Sequence, residues 1–209
     1  VCRAGLQGAA GLFIDLGLPR PDINLDVGSG SHAVQTAEVM RRFEPVLDTH
    51  RPSCVVVVGD VNSTLACTLV AVKKDVPVVH VEAGLRSYDR KMPEEINRVL
   101  TDQVADRLYT TERSAGANLQ REGVPAQHVC FAGNVMIDSL RAHLAHARSA
   151  ADTLRQHQVD PAMLEDPAGY GVVTLHRPSN VDHAETLRAL LGVLGEAGKG
   201  YKTAIETLN

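Results

Sequence analysis

Short apolar runs rich in β-branched side chains recur at residues 54–58, 76–81, 107–111, 128–131 and 171–175, and the intervals between them carry helical spacing. A hairpin joins antiparallel strands through a few residues, whereas strands separated by a helix return in parallel. The alternation predicts an α/β chain built on a mainly parallel sheet with helices on both faces. The run at 54–58 reads as a strand buried on both of its faces.

Helices are expected over 31–50, 63–74, 94–104, 114–122, 134–154 and 185–194. Ser31 suits an N-cap, Pro45 should kink or divide the first helix, Pro93 fits a first turn and Gly123 stops the fourth helix. Ile96, Val99, Leu100 and Val104 set the spacing of the third, and the alanine-rich stretch 134–154 is expected to break once. Residues 1–30 are poor in pattern: Pro19, Pro21 and Gly28-Ser29-Gly30 mark turns, and the start reads as neither a signal peptide nor a strand.

Twenty-five acidic against 21 basic side chains give a net charge of -4, which offers no general attraction for a nucleic-acid backbone or an anionic membrane. No apolar run reaches the ~20 residues that span a bilayer. Cys2, Cys54, Cys67 and Cys130 form no CxxC pair and read as reduced, structural thiols of a cytoplasmic protein, Cys54 and Cys130 lying in apolar runs where thiols are commonly buried.

Ligands of open parallel sheets bind beyond the carboxyl ends of the strands. Three such places are rich in polar residues: Gly59-Asp60, the run from His80 to Arg86, and His176-Arg177. Asp60 suits an acid/base group or, alternatively, a helix cap. In an extended backbone His80 and Glu82 share a face, and desolvation at a strand tip would raise a carboxylate pKa toward a value useful for proton transfer. His80 reads equally as a structural histidine bonded to a neighbouring loop. Glu94 and Arg98 lie one turn apart at the start of a helix, as a pocket carboxylate and an anion donor or as a dipole-favoured salt bridge. His176 and Arg177 suit an anion. Together these residues indicate proton transfer on an anionic substrate, with no metal and no cofactor; zinc on His80, Glu82 and His176 is the weaker alternative.

The run HVEAGLR at 80–86, PEEINR at 93–98, Gly59-Asp60, Gly133-Asn134 with Asp138, and TLHRPSNVD at 174–182 together resemble the non-hydrolysing UDP-N-acetylglucosamine 2-epimerase family, a likeness covering about residues 21–194. The resemblance implies two Rossmann-like domains in the glycosyltransferase-B arrangement, here an incomplete first domain over 1–165 and a fragment of the second over 166–209. It implies interconversion of UDP-N-acetylglucosamine and UDP-N-acetylmannosamine, usually in a cytoplasmic homodimer. The C2 proton is removed, UDP is expelled, and UDP adds back to the 2-acetamidoglucal with inversion. By this likeness Asp60, Glu82 and Glu94 match the acid/base residues and His176 a histidine at the nucleotide phosphates. Arg98, Arg177 and Asn134 are the expected substrate-binding residues. Which carboxylate takes the C2 proton stays open.

Against that family the chain lacks an apolar first strand, a Gly-Thr-Arg-Pro-Glu loop and a later Asp-Ser-Gly-Gly segment, and it is expected to be truncated at both ends, leaving an apolar sheet edge uncovered. Two alternatives accompany the epimerase reading: an inactive nucleotide-sugar-binding fragment, and a hydrolase releasing N-acetylmannosamine.

Overall fold

Residues 2–3, 19, 21–165, 170–175, 178–197 and 202–207 are described by a computed structural model. They fall into two units, Val1–His143 and Leu144–Asn209.

In the first unit, β1 (Cys2–Arg3) pairs in parallel with β2 (Ile23–Asn24). The start of the chain thus carries a strand after all, only two residues long and so too short to leave a periodic signature. Helix α1 (His32–His50) follows, with Ser31 capping it through a bond from the Val34 amide. Pro45 neither divides nor ends this helix. Its missing N–H would have met the Arg41 carbonyl on the exposed side, where water can replace it, while Phe43 and Leu47 hold the opposite side in the core.

The main sheet contains β3 (Val55–Val58), β4 (Val78–Val81), β5 (Arg107–Thr110) and β6 (Val129–Phe131), side by side in chain order and all parallel. Between them run α2 (Asn62–Lys73), α3 (Pro93–Val104) and α4 (Arg113–Arg121). Val57, His80, Leu108 and Val129 are register partners and share one face. The buried apolar clusters lie on that side: α1 and α2 supply Phe43, Leu47, Ala66 and Val70 against Val55, Val57 and Val78, and α4 supplies Leu119 against Leu108.

The opposite face, through Val58, Tyr109 and Cys130, is open among the described residues, so the expected helices on both faces are found on one. The reason is topological. Right-handed crossovers that step in one direction put every connecting helix on the same side, and a second layer needs a reversal of direction. β3 is therefore not buried on both faces: Val56 and Val58 are 59% and 57% exposed, and a run of four valines carries no period to reveal it. Cys54 and Cys130 are exposed free thiols rather than buried ones. A groove of about 840 Å³ follows the outer edge of β3, lined by Ile23, Leu25, Phe43 and the strand itself.

The stretch 134–154 breaks as expected, into α5 (Val135–His143), a 3-10 turn (Leu144–His146) and α6 (Ala150–Gln156), which Ser149 caps. In the second unit β7 (Tyr170–Leu175) and β8 (Lys202–Thr207) pair in parallel, with α7 (Pro178–Val181) and α8 (Ala184–Ala197) between them. No helix among the described residues is long and apolar enough to cross a membrane.

Candidate active site at the strand ends

Beyond Val58 the chain turns through Gly59, whose φ of +73° suits glycine. The Gly59 amide donates to the Val81 carbonyl at 3.0 Å, and its own carbonyl accepts from His80 Nε2 at 2.8 Å. Asp60 is held at two further points: its carbonyl accepts from Asn97 Nδ2 at 2.9 Å, and its carboxylate pairs with Arg98 on α3. It is not a helix cap; Val61 occupies that position in α2 without a side-chain bond.

Glu82 leaves β4 with φ +72°, a region that non-glycine residues seldom adopt and that clusters at functional sites. The amides of Glu82 and Ala83 both donate to the Tyr109 carbonyl at 3.0 Å, which holds the turn. This backbone removes Glu82 from the extended geometry in which it would share a face with His80. Its carboxylate borders the neighbouring strand end, since a β-carbon added at Gly59 would stand 3.8 Å from Glu82 Oε2.

His80 is 0% exposed. Asp102 Oδ1 lies 2.7 Å from its Nδ1, and Asp102 Oδ2 accepts from the Gly84 amide at 3.0 Å and from Arg86 Nη1 at 2.7 Å. Arg86 also forks onto Glu122, at 2.8 and 2.5 Å. Burial opposes its charge, but Glu122 and Asp102 prevail and raise its pKa above the ordinary arginine value. Gly84 cannot carry a side chain, because a β-carbon there would meet the Ala115 carbonyl at 2.6 Å. Most of the HVEAGLR run is thus scaffold, and Glu82 is its member beside the Gly59-Asp60 turn.

Helix α3 turns its polar side inward: Glu95, Asn97, Thr101 and Asp102 are buried, whereas Ile96, Leu100 and Val104 are exposed. Glu94 is half-buried in the first turn, one turn before Arg98 on the same helix face. Besides Asp60, Arg98 donates to Glu95 Oε2 and the Leu85 carbonyl, both at 3.3 Å. Burial pushes the Glu95 pKa up, but hydrogen bonds from the Ser87 and Tyr88 amides and the Ser87 hydroxyl outweigh it and hold the pKa below the usual glutamate range. Asn134, beyond β6, accepts from the Met136 amide at 2.9 Å and so caps α5.

Asp60 and Glu82 therefore stand at adjacent strand ends, with Arg98 joining α3 to Asp60. His176 and Arg177 lie outside the described residues. No group of three His, Cys, Asp or Glu among the described residues could hold a metal ion. Sequence reasoning passes over Asp102 and Asn97 and reads Glu95 only as a dipole-favoured first-turn residue rotated off the face of Glu94 and Arg98. A signal was present: these polar residues line one side of a helix whose other side carries the apolar stripe.

A family model described as UDP-N-acetylglucosamine 2-epimerase matches residues 7–206. The chain is 40% identical over 193 residues to UDP-N-acetylglucosamine 2-epimerase of Methanocaldococcus jannaschii, covering 92% of this chain and 52% of that one. It is also 40% identical over 186 residues to UDP-2,3-diacetamido-2,3-dideoxy-D-glucuronate 2-epimerase of Pseudomonas aeruginosa, covering 88% and 49%. The crystal structure of the M. jannaschii enzyme in complex with UDP-GlcNAc and UDP superposes with a TM-score of 0.78 at 38% identity, over 94% of this chain and 53% of that one. The chain spans about half the length of the curated relatives it matches.

Proposed function

The chain belongs to the UDP-N-acetylglucosamine 2-epimerase family, and we propose that it interconverts UDP-N-acetylglucosamine and UDP-N-acetylmannosamine by elimination and re-addition of UDP. The observation that carries this reading is the pair of carboxylates, Asp60 and Glu82, at the ends of β3 and β4, with Glu82 held in a rare backbone conformation.

Inversion at C2 sets the chemical requirement. A base takes the C2 proton as the C1–oxygen bond breaks and UDP leaves with the bonding pair, giving 2-acetamidoglucal. UDP then re-forms the C1–oxygen bond while a proton returns to the opposite face of C2. Removal and return on opposite faces call for at least two acid/base groups, and Asp60, Glu82 and Glu94 supply three candidates. C2–H is a weak acid, so its base must be fixed close to it, and the departing diphosphate needs donors as its charge develops. In this reading His176, Arg177, Arg98 and Asn134 are those donors, within a glycosyltransferase-B architecture whose second domain begins near residue 166. The enzyme is cytoplasmic and homodimeric, and the exposed stripe of Ile96, Leu100 and Val104 supports a second copy.

Equal identity to the Pseudomonas aeruginosa relative favours one second reading, a UDP-2,3-diacetamido-sugar acid as the substrate. The test incubates the purified chain with each nucleotide sugar in deuterated water and follows C2 by NMR. Deuterium at C2 together with UDP-N-acetylmannosamine supports the proposal; exchange with the second sugar alone transfers it to that substrate. Free N-acetylmannosamine would point to a hydrolase, and UDP binding without exchange at high protein concentration would leave only a binding fragment.

A further inference from the structure

We propose that His80 is a positioning residue, fixing the Gly59–Asp60 peptide from the buried side and thereby setting where the carboxylates of Asp60 and Glu82 stand. The proposal rests on the reading of those carboxylates as acid/base groups. His80 is fully buried on the helix-covered face of the sheet, one residue before the end of β4. From there its bonds reach the strand ends.

Nε2 lies 2.8 Å from the Gly59 carbonyl, which can only accept, so this nitrogen carries a proton. Nδ1 lies 2.7 Å from Asp102 Oδ1, so a second proton sits between ring and carboxylate. Asp102 is itself anchored by Arg86 and the Gly84 amide. One buried carboxylate therefore holds the chain two residues beyond Glu82 and, through His80, the peptide immediately before Asp60. The Gly59 amide is tied to Val81 and the Asp60 carbonyl to Asn97, and the imidazole bond holds the Gly59 carbonyl that lies between them. Glu82 Oε2 is packed toward that glycine and would be displaced with it.

Two substitutions separate the two ring nitrogens. The side-chain amide of His80→Gln reaches the Nε2 position and can still donate to Gly59, whereas that of His80→Asn stops near Nδ1 and leaves the carbonyl without its donor. We expect His80→Asn to lower kcat for C2 exchange by about 10- to 100-fold with KM little changed, and His80→Gln to restore most of it. The amide resonance of Asp60, which belongs to the held peptide, should move in the 1H–15N spectrum of His80→Asn and stay in place in His80→Gln.

Asp102→Asn is a further check, because its amide can donate to Nδ1 and leave the Nε2 proton on Gly59. It should keep kcat within about threefold of the original. Equal losses of kcat in both His80 variants, an unmoved Asp60 resonance in folded His80→Asn, or a large kcat loss in Asp102→Asn would overturn the proposal. If the original chain exchanges no C2 proton, the functional reading fails, and the Asp60 resonance still decides whether His80 holds the turn.

Discussion

Glu95 accepts both the amide and the hydroxyl of Ser87, at 2.9 and 3.1 Å, and so ties the first turn of α3 to the segment that follows HVEAGLR. With the Tyr88 amide added, the carboxylate is stabilised as an anion. A carboxylate whose pKa is lowered on folding contributes stability that is complete above the ordinary glutamate value and is lost as the pH falls through the folded one. Glu95→Gln should cost about 1.5–3 kcal/mol near neutrality. The gap between the two proteins should close as the pH drops below about 4.3, which urea midpoints across that range would measure.

Gly84→Ala should destabilise by more than about 2 kcal/mol, because a positive φ and a clash with the Ala115 carbonyl act together. Gly116, half-buried in α4, has nothing within 4 Å of an added β-carbon. Gly116→Ala should therefore stabilise by roughly 0.5–1 kcal/mol through helix propensity, and thermal or urea unfolding of the two variants tests the contrast.

Arg86→Met removes the buried guanidinium that joins Asp102 to Glu122, and a loss of about 3–5 kcal/mol is expected. Arg155→Ala breaks the Asp152 pair, whose side chains are mostly exposed and screened by water, and should leave the unfolding midpoint within the scatter of a surface change. Equal costs in urea titrations would contradict the assignment of Arg86 to the scaffold.

Glu82→Gln keeps the size of the side chain and removes its basicity. On the proposed epimerase reading, exchange of the C2 proton should fall by at least ~100-fold while the unfolding midpoint stays within the range of a surface change. Unaltered exchange in this variant would remove Glu82 from the mechanism.

Leu100→Lys places a charge in the outward stripe of α3. On the proposed homodimer reading, sedimentation should show a shift from dimer to monomer with secondary structure unchanged, since Leu100 belongs to neither buried apolar cluster.

The strands of the main sheet were legible because β-branched runs bounded by turns have few other uses, and the strand-end rule led directly to Asp60 and Glu82. Which face of β3 lies in the core was not legible in four consecutive valines. Helix α3 shows another limit. Its polar residues face inward because their partners lie outside the helix: the Ser87-Tyr88 amides in the segment before it, and His80 and Asp60 more than 20 residues away in the chain. The positive φ of Glu82 likewise arises from bonds to Tyr109 that no local pattern contains.

From β4 onward each strand of the main sheet lies beside the one that precedes it in the chain. During synthesis each of these strands therefore emerges next to an edge already made, and among the described residues no pairing of this sheet has to wait for a distant segment. The sheet can assemble in the order of translation from β3 onward, with loop closures confined to single crossovers.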